Sequence, residues 1–206
     1  SFPTRRSSDL WHDHNIRENF DKLAALSALK GIAVGNLGWI EPFVNAGVNV
    51  FGDYGLNLYN SEDFLLAGKL GIKEAFVSHE ADLEDILALD FHGVIPEVAI
   101  SGKIPVMTSE HCLFAPSPAW LGKTDSSERS ESEAGGRCVA SDLNLCGKKC
   151  GQTNIFLKDR KGQLYPIITN PSDCRSVILS CRETNLNAQK KTLKNAGINR
   201  FRIYAE

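Results

Sequence analysis

The first 111 residues of this 206-residue chain contain no cysteine; all six lie beyond, at Cys112, Cys138, Cys146, Cys150, Cys174 and Cys181. No apolar run approaches the roughly 20 residues needed to span a bilayer, which excludes a visible transmembrane helix. No secretory hydrophobic region is present either, so a reducing, cytoplasmic setting with free or metal-bound thiols is expected rather than disulfides. Charge of one sign is scarce: 23 Lys and Arg stand against 25 Asp and Glu, a net charge of −2. With no global basic field, nucleic-acid binding would have to rest on a local patch. G-x-S-x-G, H-E-x-x-H and a phosphate-cradling glycine loop are all missing, which removes the usual hydrolase and nucleotide-binding machineries.

What is there is an ordinary globular composition, 42% hydrophobic and 23% charged, in a length suited to one or two domains. Residues 1–10, SFPTRRSSDL, read as the translation of a common sequencing-adapter oligonucleotide. They are set aside as an assembly scar, with the expectation that the natural chain begins further upstream.

From residue 11 to 112 the pattern alternates. Ile16, Phe20, Leu23, Leu26 and Leu29 recur at helical spacing over residues 15–29. Short apolar strands are expected at 32–34, 48–51, 74–77 and 94–100, with helices at 39–45, from Ser61-Glu62-Asp63 to Leu70, and at 83–89. Alternation at about twenty-residue intervals implies a parallel α/β sheet. Asn36, Asp53, Ser78 and Glu80 follow the strands, where an α/β barrel would place its active-site rim and where turn formers and helix caps are equally at home. Residues 113–136 are Ser-, Glu- and Gly-rich and read as a flexible insertion. Residues 137–206 hold five cysteines, a hairpin at 155–157 and 164–168 around KDRKG, a helix at 187–196 and a last strand at 200–204.

Cys146 and Cys150 form a close C-x-x-x-C pair that could donate two thiolates to a metal from one loop, and Lys148 and Lys149 would lower their pKa values. The spacing is one residue longer than the zinc-knuckle pair. Cys181, on the apolar segment VILSC, reads as a core thiol. His12, His14, His79 and His92 lack metal-binding spacing, and His111 beside Cys112 is the one local pair with nucleophilic potential.

Several segments taken together, VGNLG (34–38), GDYGLNLYN (52–60), VSHE (77–80), EVAISGKIPVMTSEHC (97–112), LKDRKGQLYPI (157–167), DCRSVILS (173–180) and INRFRI (198–203), resemble the bacterial collagenase-like U-thirty-two (unknown-type) peptidase family over residues 31–206. The resemblance implies a partial TIM-type (β/α) barrel followed by a cysteine-bearing β-rich region. It implies either a peptidase or an iron–sulfur protein of oxygen-independent hydroxylation, acting on RNA, a peptide or a small aromatic substrate. A 4Fe–4S cluster would use Cys112, Cys146, Cys150 and Cys174, with Cys138 in reserve. The family pattern expects a cysteine seven residues before Cys112, where this chain has Pro105, so one ligand must differ. Asn36, Asp53, Asn57 and Glu80 would line the barrel mouth, Arg160 and Arg202 would bind an anionic group as forked donors, and His111, Glu80 and Asp53 are the catalytic candidates. A non-catalytic barrel with structural zinc is the remaining alternative.

Overall fold

The computed structural model describes residues 13–26, 29–109, 155–170 and 175–204. In chain order the elements are α1 (Asp13–Ala24), β1 (Ile32–Val34), α2 (Ile40–Asn45), β2 (Val50–Gly52), α3 (Ser61–Lys69), β3 (Glu74–Phe76), α4 (Leu83–Ala88), β4 (Ile95–Gly102), β5 (Pro105–Ser109), β6 (Ile155–Lys158), β7 (Leu164–Asn170), β8 (Arg175–Leu179), β9 (Thr184–Asn185), α5 (Lys190–Asn195) and β10 (Arg200–Ile203). They form two compact units. Residues up to Ser101 together with Asn185–Tyr204 make the first, and those from Gly102 to Thr184 fall in the second.

The first unit is built on a sheet with strand order β1-β2-β3-β4-β10, each neighbouring pair parallel. Parallel strands need helical crossovers, and the 3.6-residue periods between the strands supply them. Because successive side chains point to opposite faces of a strand, the sheet has two distinct sides. Ile32, Val34, Val50, Ala75, Val77, Val98 and Ile100 are buried on one side in a cluster with Ile40 and Phe43 of α2, Phe64 and Ala67 of α3, Ile86 of α4 and Leu193 of α5. Phe20 of α1 joins this core against Phe43, with ring centroids 4.9 Å apart. The intervening strand positions, including Glu74, Phe76, Glu97, Arg200 and Arg202, belong to the other side, as the pairings Phe76↔Glu97 and Arg200↔Glu97 require.

Local chemistry sets the element ends. Asn60 caps α3 by accepting from the Asp63 N–H, while Asp63 accepts from the Asn60 N–H; Asp82 and Asp85 do the same for α4. The helix itself starts at Ser61, as read from the sequence. The first helix ends at Ala24, short of residue 29, and the final one covers only Lys190–Asn195 of the expected 187–196. Gly31 allows a close chain approach: a Cβ there would meet the Phe51 ring and lie 2.8 Å from the Asn49 carbonyl oxygen.

The second unit contains an antiparallel sheet of order β5-β8-β7-β6. Its β6–β7 hairpin turns at Asp159–Gly162, where Asp159 Oδ1 accepts from the Lys161 and Gln163 N–H groups and Gly162 takes a φ of 81°. The sequence reading extends the barrel segment to residue 112. In the structure β5 instead pairs antiparallel with β8, so the first unit ends at Ser101. The mixed α/β class with a separate β-rich part holds. Among the described residues the parallel sheet is an open path with β1 and β10 at its ends, so TIM-type closure is not seen.

Gly31→Ala should lower stability by ~1–3 kcal/mol, because the backbone carbonyl of Asn49 cannot rotate away as a side chain can. Gly38→Ala, whose Cβ would meet only Asn36 Oδ1 at 3.4 Å, serves as the control. Urea unfolding midpoints that fall equally for both variants would contradict the close-approach argument.

Candidate functional site

The polar side of the parallel sheet gathers around Arg202. From β10 its guanidinium makes a forked contact with Glu97 of β4, Nε to Oε1 at 3.2 Å and Nη2 to Oε2 at 2.6 Å. Its Nη1 reaches Oδ1 of Asp53, just past β2, at 2.6 Å. Between these carboxylates the guanidinium lies 4.3 Å from the centroid of the Phe76 ring on β3. One arginine thus ties together residues from β2, β3, β4 and β10. Burial alone would lower the pKa of Arg202, but the Glu97 hydrogen bond and the charges of Asp53 and Glu97 outweigh it and hold the cation firmly protonated. Two carboxylates against one guanidinium leave the cluster with a formal charge of −1.

An aromatic wall adjoins the cluster. His79, on the loop after β3, lies against Phe76 at 4.7 Å, Tyr204 at 5.6 Å and Tyr54 at 5.8 Å between ring centroids. Its Nε2 is 3.1 Å from Tyr204 Oη. Burial, then the positive charge of Arg202, lower the His79 pKa to about 4, against a smaller opposite effect of Asp53. Tyr204 is pushed up to about 12 by burial, although Arg202 favours its phenolate through charge and a hydrogen bond. At neutral pH both are uncharged. A register shift between Arg202 and Ile203 interrupts the β4–β10 pairing just before Tyr204, a common device for aiming a side chain at a site.

The other residues singled out from the sequence are distributed as follows. Asp53 is buried in the cluster, and Arg202 lies at its centre. The fork of Arg202 is filled by Glu97, so the expected capture of an anionic group meets an arginine already countered by two carboxylates. Asn36 is exposed and accepts from the Gly38 N–H, serving as a turn former. Asn57 is exposed in a left-handed conformation (φ 50°) and accepts from Ser78 Oγ, which in turn accepts from the Glu80 N–H; the Glu80 side chain is exposed. Arg160 is exposed on the hairpin turn of the second unit.

His111 and Cys112, Cys138, Cys146, Cys150 and Cys174 lie outside the described residues. Cys181 is not the core thiol its apolar neighbours suggest. It lies beyond the end of β8, is half-buried, and is 3.4 Å from Gln163 Oε1. Among the described residues, no group of three or more His, Cys, Asp or Glu is arranged to hold a metal ion, and no helix is long and apolar enough to cross a membrane.

Sequence reasoning missed Glu97, Tyr54, Phe76 and Tyr204, and passed over His79 for lack of metal spacing. The available signals were a carboxylate inside the apolar strand PEVAI, a tyrosine two positions from Arg202, and an aromatic directly after Asp53.

Arg202→Met should cost ~1–3 kcal/mol, because Asp53 and Glu97 would then face each other without a cation; the full cost of breaking a buried pair is reduced here because the arginine side chain is 24% exposed. Arg202→Lys should recover only part of it, since an ammonium cannot reproduce the fork. Unfolding free energies at low and high salt test both. A second expectation concerns pH. Unfolded His79 takes up a proton near its ordinary 6.5 and the folded residue only near 4, so its contribution is complete above 6.5 and is lost as pH falls toward 4. His79→Gln should therefore lose less stability than the parent between pH 7 and pH 5, as read by urea denaturation.

No curated protein and no solved structure matches the chain significantly. The sequence model of Peptidase family U32 matches residues 9–205, nearly the whole length and further toward the N-terminus than the segments that first suggested the likeness. The chain therefore belongs to peptidase family U32.

Proposed function

We propose that this family U32 member binds a 4Fe–4S cluster and acts in oxygen-independent hydroxylation of a small aromatic substrate, on the Arg202 face of a sheet that forms part of a TIM-type barrel. The observation that carries the reading is the pairing of a cluster of mutually tilted aromatic rings (Tyr54, His79, Tyr204) with a polar, partly desolvated edge (Asp53, Arg202, Glu97). A flat ring can stack on one of them while its hydrogen-bonding groups meet the polar edge.

Electrostatics favours a small neutral substrate over RNA. The cluster carries a formal −1, and the helices that follow β2 and β3 begin with Glu62 and Asp63, and with Glu84 and Asp85. A polyanion approaching the starts of α3 and α4 meets like charge, although α5 opens on Lys190 and Lys191. The same face offers no uncompensated cation among the groups described above.

Cys112, Cys146, Cys150 and Cys174 would hold the cluster, with Cys138 in reserve. Cys181, the cysteine within the described residues, is engaged with Gln163 and is left out of the set. When bound, the cluster supplies one-electron chemistry. The work of the chain itself is to seat the ring, exclude water from it through Phe76 and the tyrosines, and hold the reacting edge against Asp53, Arg202 and His79. A peptidase, the activity in the family's name, needs an activated nucleophile. The histidine at this face bonds a phenol instead.

Anaerobic reconstitution with iron and sulfide should give about four irons per chain and visible sulfur-to-iron absorption, both lost in Cys146→Ser/Cys150→Ser. Stoichiometric zinc with no iron uptake would overturn the cluster reading and favour a structural zinc. Gelatin cleavage abolished by Cys112→Ser would replace hydroxylation with the peptidase.

A further inference from the structure

His79 has one ring nitrogen committed and one to spare. Nε2 is paired with Tyr204 Oη, and among the described residues Nδ1 has no protein partner. The direction of the His79–Tyr204 bond decides what the other nitrogen can do. A phenol is a stronger hydrogen-bond donor than acceptor, and the bare nitrogen of a neutral imidazole is a strong acceptor. The neighbouring Arg202 cation, held between Asp53 and Glu97, adds to this by favouring negative charge on the phenol oxygen. The phenol proton therefore points to Nε2, and a neutral imidazole that accepts at Nε2 must carry its own proton at Nδ1.

We propose that Tyr204 locks His79 as the Nδ1–H tautomer, and that this N–H donates to a carbonyl or hydroxyl oxygen of a ring bound against Tyr54. His79 is then a ligand-contacting donor and Tyr204 the positioning residue that selects its tautomer. The inference rests on the reading of this face as a substrate site and deepens it. A neutral imidazole suits the role: it polarises an oxygen without adding a second cation beside Arg202, and no proton leaves the ring. Its depressed basicity keeps it neutral over the working pH range.

The test uses the full chain, isotope-labelled at histidine, with long-range proton–nitrogen NMR at neutral pH. The parent should show His79 with a bare Nε2 and a protonated Nδ1, and Tyr204→Phe should return it to the ordinary solution preference for Nε2–H. Adding 2-pyridone, a neutral planar ring with a carbonyl, should shift the Nδ1 signals, and His79→Phe should weaken its binding about tenfold. A protonated Nε2 in the parent, a tautomer indifferent to Tyr204→Phe, or Nδ1 signals unmoved by 2-pyridone would each overturn the proposal. None of these readouts needs iron. Failure of reconstitution with a positive NMR result would remove the cluster and leave His79 in place, and the reverse pattern would do the opposite.

Discussion

A single guanidinium, placed over an aromatic ring and between two carboxylates, fixes the polar side of the parallel sheet. Asp53 and Arg202 are 149 residues apart in sequence, and Glu97 and Arg202 are 105 apart. Their meeting requires β10 to be docked beside β4 in register and the β2 end to sit level with Phe76. The desolvation that Arg202 suffers is offset only because the fork to Glu97 and the Nη1 contact to Asp53 are both made and the flat cation also rests on Phe76. The arrangement has little slack, since shifting β10 by one residue would turn Arg202 to the helix-packed side and set Phe201 over the carboxylates. Correct register and correct site are in this sense one condition.

The same face explains what the sequence made legible. Period-two and period-3.6 patterns identified the four early strands, their crossover helices and the last strand, because burial of one side is a strong local constraint written in consecutive residues. Asp53 and Arg202 could be singled out as charged groups at strand ends. Their partnership could not, because it depends on which strands become neighbours. Glu97 was hidden for a related reason: within PEVAI it reads as an ordinary strand position until its facing side is known to be the polar one. The first and last helices are also shorter than their patterns suggested. Six-residue helices such as α2 and α5 draw their stability from one or two buried anchors, Ile40 and Phe43 or Leu193, so propensity at their ends decides little.

Charge placement follows from helix direction. Glu62, Asp63, Glu84 and Asp85 occupy first turns, whereas Lys22, Lys69 and Lys194 occupy last turns. In a parallel α/β unit every crossover helix points the same way, so favourable interactions with separate helix dipoles add up to a polarity of the whole unit. Around the starts of α3 and α4 the strand C-terminal end is acidic, although the net charge is only −2 and α5 opens on Lys190 and Lys191. Composition alone concealed this, and it bears directly on which ligands can approach the Arg202 face.

That polarity also accounts for the character of the donors there. A negative end would ordinarily raise the basicity of a nearby histidine, yet His79 is held well below its usual range because burial and the adjacent Arg202 outweigh Asp53. Protonating it would place two cations on one side of Phe76, where Asp53 and Glu97 are already committed to the first. The structure therefore admits one permanent positive charge and fills the remaining polar positions with neutral groups, a phenol and an imidazole linked to each other. Neutral donors bind a neutral ring without the desolvation cost of another ion. Their protonation also stays constant across the pH range between the two displaced pKa values, about 4 and about 12. A face built in this way discriminates by shape and by hydrogen-bond direction rather than by charge.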